Sequence, residues 1–324
     1  MIRISQGLNT SMILSKANSL MDRWIYIVMP LLMGIGIIIH VYLDDFVNAT
    51  PYLFMYLTFV SSLHANLRDF KELIHQKTSA IVILLLLHVI VPVCAFQIAK
   101  LFFPAQPDLI AGITLFMALP VGVTAIFWVG YAGASLMIAL AFVTFDTLIS
   151  PFVVPMSLHF VLGSTVSVNG GALVVSLLKL VVLPSVLGMW AGDKLRQSNP
   201  PEWLRPLAIS SSKFCLYLIV LFNAALIAGD LHAVAHDLVK VIIVVAVLMI
   251  LGYLVSLGFV SLFCKKKDLK IAFSYSGGIR NYTVGVVLAT AFFSPTAAFP
   301  ILLAMLLQHP TALLFTFIFK KLPA

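Results

Sequence analysis

The chain has 324 residues, 61% of them hydrophobic and only 10% charged, with a formal net charge of +8 and a mean hydropathy of +1.09. Soluble domains carry about 25% charged residues, so this composition excludes a soluble globular domain and defines an integral membrane protein. The cations collect at the edges of apolar runs, which makes nucleic-acid binding an unnecessary reading of the basic balance.

In chain order, residues 1–23 mix Ile2, Leu8, Ile13, Leu14 and Leu20 with polar residues and read as an interfacial segment. They lack a compact apolar core followed by a small-residue cleavage site, so no signal peptide is expected. A transmembrane helix needs roughly 20 apolar residues. Cutting the rest of the chain at its polar punctuation predicts ten spans, near 24–43, 50–67, 78–103, 108–132, 134–163, 171–192, 206–229, 237–263, 269–291 and 294–319. With the N-terminus cytoplasmic, Lys16, Arg23, Arg68, Lys71, Lys77, Lys194, Arg196, Arg205, Lys265, Lys266, Lys267, Lys270, Lys320 and Lys321 all fall on the inner side. Asp44, Asp45, Asp108, Asp230 and Asp237 fall outside, and Lys100 is the main exception. The positive-inside rule therefore predicts both termini in the cytoplasm, in a plasma membrane or bacterial inner membrane.

Ten spans divide into a first five-helix repeat at 24–163 and a second at 171–324, joined by an external connection at 164–170. A cytoplasmic loop at 193–205 lies within the second. An odd number of spans per repeat makes the two insert with opposite orientation. Each repeat has one interrupted span. Leu119-Pro120-Val121-Gly122-Val123 breaks the fourth, since Pro120 lacks an N–H and Gly122 lets the chain leave helical geometry. Ser276-Gly277-Gly278-Ile279-Arg280-Asn281 breaks the ninth. Matching breaks in two inverted halves point to a midplane substrate site and to alternating access. A guanidinium at that depth must face protein or a water-filled cavity, so Arg280 is a functional residue by default.

Pro120, Gly122, the run Asp146-Thr147-Leu148-Ile149-Ser150-Pro151, the run Lys179-Leu180-Val181-Val182-Leu183-Pro184, and then Gly278, Asn281 and His309 resemble the bile acid:sodium symporter family. The resemblance covers nearly the whole chain. It implies an all-α membrane protein with a panel domain and a core domain, two broken helices (spans four and nine) crossing in the core, and transport of organic anions with sodium. The sodium ligands do not carry over. The family's Ser-Asn pair after the fourth-span break matches Ala125 and Ile126, its fifth-span hydroxyls match Ala139 and Val143, and its ninth-span Glu and Gln match Ser276 and Arg280. The third-span Gln falls near Leu87 and His88. Hard cations need several oxygen ligands, so the expected coupling is sodium-independent, either facilitated or linked to protons.

Two roles for Arg280 compete. It replaces a bound sodium with a fixed cation that Asp146 balances, or it holds the substrate carboxylate in a bidentate fork, with Asn281, Thr124 and backbone freed near Gly278 completing the anion site. Helical spacing places Ala139, Val143 and Asp146 on one face. His88, before Pro92, is the candidate proton relay. His309 reads as structural because Pro310 replaces the Asn that usually follows it. Lys179 and Lys240 read as snorkelling cations, and Phe127, Trp128, Phe145, Tyr275 and Tyr282 as packing or pocket lining. His232 and His236, with Asp230 and Asp237 nearby, have metal-like spacing but belong to an external loop, so no metal is expected. Cys94, Cys215 and Cys264 imply no disulfide framework. Without a phosphate loop, zinc protease motif or nucleophile elbow, catalysis and cofactors are not expected. The expected partners are a small organic anion and membrane lipids.

Overall fold

The computed structural model describes residues 2–63, 65, 70–163, 169–198, 200–229 and 235–322. The described residues fold into helices: α1 (Ile2–Ile38), α2 (Thr50–Ser62), α3 (Lys77–Phe102), α4 (Pro107–Ala118), α5 (Thr124–Tyr131), α6 (Leu136–Leu162), α7 (Gly170–Gln197), α8 (Leu204–Ala228), α9 (Leu238–Phe263), α10 (Lys267–Gly278), α11 (Tyr282–Phe292) and α12 (Pro295–Lys320). Short helical turns follow α1 and precede α3. No strand is present among these residues, only an isolated antiparallel bridge between Val121 and Arg280.

Among the described residues six helices (α3, α6, α7, α8, α9 and α12) are long and apolar enough to cross a membrane, and α1, bent near residue 26, makes a seventh candidate. Pro30 lies inside α1, and its ring excludes the carbonyl four residues earlier, which is where the bend falls. The interfacial segment expected at 1–23 is thus continuous in helix with the first span. The other three predicted spans are shorter pieces. α2 has 13 residues, about 20 Å of helix at 1.5 Å per residue, and the fourth and ninth spans are the pairs α4/α5 and α10/α11.

Two of the long helices contain a π-turn, Leu86–Ile90 in α3 and Leu178–Val182 in α7. In each case a proline follows two residues after the turn, Pro92 and Pro184. A proline inside a helix removes a donor and crowds the carbonyl four residues back, and widening the preceding turn relieves both.

By backbone contacts the chain divides into two compact units, residues 1–65 with 179–228 and residues 66–178 with 229–324; the boundary falls inside α7. The first holds α1, α2, the C-terminal part of α7, and α8. There Gly188 and Gly192, one turn apart, let α7 approach α2 so closely that an added Cβ would meet the Phe59 carbonyl oxygen at 2.3 Å and that of Leu63 at 2.1 Å. This is the small-residue packing that membrane bundles rely on. A polar seam joins α1 to α8: the Asn18 amide donates to the Pro206 carbonyl (3.0 Å), Ser210 to Asn18 Oδ1 (3.0 Å), and Lys213 pairs with Asp22 (2.6 Å).

The second unit holds α3 to α6, the N-terminal part of α7, and α9 to α12. Its core is the most fully buried part of the chain: nearly all of α4 and α11, the two short apolar helices, is buried. Gly112 and Gly285 mark close packing here, against Ala297 and Leu119 respectively.

Candidate functional site

The site lies within the second unit, where the two interrupted spans cross. α4 ends at Ala118 because Leu119 turns extended (φ −57°, ψ 149°) ahead of Pro120. α10 ends at Gly278, with Ile279 also extended. The two extended pieces pair as one rung of antiparallel sheet. Gly122 N–H donates to the Ile279 carbonyl (3.0 Å) and Asn281 N–H to the Pro120 carbonyl (2.8 Å). Broken backbone deep in a bundle must find partners inside the protein, and here each break satisfies the other.

Close contacts and one cap explain the residues at the breaks. An added Cβ on Gly122 would lie 2.5 Å from the Arg280 carbonyl oxygen, so only glycine allows the strands to touch. A Cβ on Gly277 would collide with Ser256 and one on Gly278 with the Tyr253 ring at 2.3 Å, so the glycine pair seats α10 against α9. Asn281 caps α11, its Oδ1 accepting from Val284 N–H (3.3 Å). Thr124 is the first residue of α5 and partly exposed.

Asp146 on α6 is fully buried beneath the crossing. Its Oδ2 accepts the Val121 backbone N–H at 2.6 Å, and its Oδ1 bonds His88 Nε2 at 2.6 Å. His88 sits in the π-turn of α3, 2% exposed, and its Nδ1 has no hydrogen-bond partner. Arg280, 1% exposed, donates from Nη1 to the Leu119 carbonyl (3.3 Å), while Nε and Nη2 are unpartnered. Asp146 lies within electrostatic range of Arg280, but among the described residues its direct side-chain partner is His88, not the guanidinium. The two side chains instead hold neighbouring backbone of the first break, Asp146 at the Val121 N–H and Arg280 at the Leu119 carbonyl.

The positions that match the family's sodium ligands offer few oxygens. Ala125, Ala139 and Val143 are buried apolar side chains, and the Ser276 hydroxyl donates to the Ala272 carbonyl of its own helix (3.0 Å). Of the other candidates, His309 lies beside the Trp128 ring (6.1 Å between centroids). Tyr275 bonds Thr316 (2.6 Å), Lys179 is exposed, and Lys240 lies over the Phe103 ring beside Asp237. Asp230 and His232 fall outside the described residues, and among those described no group of three or more potential metal ligands occurs. Sequence reasoning missed the His88–Asp146 bond and the backbone bond at Val121. It also missed Lys213, whose place eight residues into a predicted span was the available signal.

An all-helical membrane protein in which two interrupted spans cross and exchange backbone hydrogen bonds is built as a secondary transporter. The chain belongs to the sodium bile acid symporter family, whose family model ("Sodium Bile acid symporter family") matches residues 50–230, more than half of the sequence. Among curated proteins it is similar to the uncharacterized protein YbaS of Bacillus subtilis, 29% identical over 302 residues, or 90% of this chain and 97% of that protein. It is also similar to the uncharacterized sodium-dependent transporter YocS of the same organism, 27% identical over 235 residues, covering 72% of this chain and 70% of that one.

Proposed function

We propose that this protein moves a small organic anion across the membrane by alternating access, without the sodium coupling suggested by the family's name, and that Arg280 receives the anion's carboxylate. One observation carries this reading: Arg280 is buried with Nε and Nη2 both unpartnered. These two N–H groups lie on one edge of the guanidinium and match the two oxygens of a carboxylate. A buried guanidinium with that edge empty is costly, and an incoming anion relieves the cost. Asn281 and Thr124, at the starts of α11 and α5, and the backbone around Gly278 border the same crossing.

The ten-span, five-plus-five reading supports alternating access, with α4/α5 and α10/α11 as the interrupted spans, both termini cytoplasmic, and the two units as panel and core. Sodium independence is supported by Ala125, Ala139 and Val143, which have no side-chain oxygen where the resemblance places ligands, and leave the Ser276 hydroxyl as a lone candidate among these four. A second reading, sodium-coupled symport, is favoured by the description of YocS as sodium-dependent. Uptake of radiolabelled carboxylates into proteoliposomes, with external sodium replaced by potassium, separates the two. Equal uptake in both salts, lost in Arg280→Gln, is expected; uptake that requires sodium supports the second reading.

A further inference from the structure

We infer that His88 and Asp146 form a proton-binding site, and that one proton is taken up at His88 with each anion bound at Arg280. This rests on the Arg280 reading and names its coupling ion.

The two side chains come from helices 58 residues apart in sequence and meet at 2.6 Å, 2% and 0% exposed. Asp146 accepts from Val121 N–H on its other oxygen. With Asp146 ionised, both of its oxygens accept, so Nε2 carries the hydrogen of its bond to Oδ1 and Nδ1 presents a lone pair. That Nδ1 is buried and has no partner, so the imidazole holds an unused basic atom inside the core. It sits in a π-turn, a distortion that concentrates at functional sites.

The charges then decide what the base does. The elements packed on the π-turn are the flanks of α3, and α4 and α6. Their titratable groups are Lys77, Cys94, Lys100, Asp108, Asp146 and His159, and all but Asp146 are exposed. The buried balance therefore involves Asp146, Arg280 across the crossing, and His88. Empty, with His88 neutral, Arg280 and Asp146 cancel. A carboxylate on Arg280 leaves one uncompensated negative charge in the core, which is costly. A proton on Nδ1 restores neutrality: the Nδ1 lone pair forms the new N–H bond, and Nε2 keeps its hydrogen bond to Asp146. By linkage, the anion raises proton affinity and the proton raises anion affinity by the same factor. Asp146 also grips the backbone of the first break, so the loading of this pair is felt where the two interrupted spans cross.

The test uses purified full-length protein in weakly buffered detergent solution with a pH indicator, and benzoate and cholate as carboxylate probes. Wild type takes up one proton per probe bound, and its affinity falls as the pH rises. His88→Gln, whose amide can still donate to Asp146, binds more weakly, takes up no proton and shows no dependence on pH. Arg280→Gln binds neither probe. Wild-type binding without proton uptake, or equal uptake by His88→Gln, overturns the proton site while leaving the anion reading intact. Binding by Arg280→Gln as tight as wild type overturns the anion reading, and failure of both probes to bind wild type overturns both.

Discussion

The two breaks that meet at the crossing perform the same backbone task by different chemistry. The first, at 119–123, is made by Pro120 and Gly122 and has only apolar side chains; besides its rung with the second break it gives the Val121 N–H to Asp146 and the Leu119 carbonyl to Arg280. The second, at 276–281, is made by Gly277 and Gly278 and carries Arg280, which returns a hydrogen bond to Leu119 of the first. In the first break Pro120 ends the helix, and Gly122 leaves room for the Arg280 carbonyl. Glycines are needed where α10 must also lie against Tyr253 and Ser256 of α9. The asymmetry gives each charge a break to hold: Asp146 secures the first, and Arg280 is part of the second.

The largest effects should come from separating these charges. Asp146→Asn leaves the buried Arg280 without its opposite and is expected to lower unfolding stability by about 3–5 kcal/mol; Arg280→Gln, after which Asp146 keeps its bond to His88, should cost less. The double variant should lose clearly less than the sum, because the remaining core is neutral. Strictly additive losses, measured by denaturant unfolding in detergent micelles, mean that the two breaks are not electrostatically joined. Next in size is the contact between the breaks themselves. Gly122→Ala drives a methyl into the Arg280 carbonyl, and backbone on both sides cannot yield as a side chain would, so a loss of about 1–3 kcal/mol is expected. Gly258→Ala, where a Cβ meets nothing within 4 Å, should change the unfolding midpoint little; similar losses in both would remove the crossing as the cause. The smallest effect on stability is expected at Pro92→Ala. Restoring a backbone donor lets the π-turn relax to α-helix, which rotates His88 away from Asp146. Stability should stay within about 1 kcal/mol of wild type, since proline is the poorest helix residue, while proton uptake on carboxylate binding falls.

Much of this organisation was legible in the residues. Apolar run lengths marked the six long helices α3, α6, α7, α8, α9 and α12, and Pro120, Gly122 and the glycine pair marked both interruptions, because proline and glycine act locally on the backbone. Helical spacing put Ala139, Val143 and Asp146 on one face, and only the family resemblance turned that face toward the crossing. What could not be read was pairing at a distance. Nothing local to His88 says that it meets Asp146 rather than another group, and the obvious electrostatic partner, Arg280, spends its Nη1 on a carbonyl instead. The π-turns were hidden for a related reason: Pro92 and Pro184 announce a distorted helix, but whether it kinks or widens is decided by packing. In the first unit, Lys213 was passed over because the Asp22 that neutralises it lies on another helix, 191 positions away in sequence.

On the reading proposed above, Arg280 is a fixed cation where the family's name implies a mobile one. Sodium binding to the purified protein decides this, followed as thermal stabilisation on titration with sodium chloride at constant ionic strength against potassium chloride. No sodium-specific stabilisation is expected in wild type. Saturable stabilisation by sodium alone, retained in Arg280→Gln, would overturn the reading.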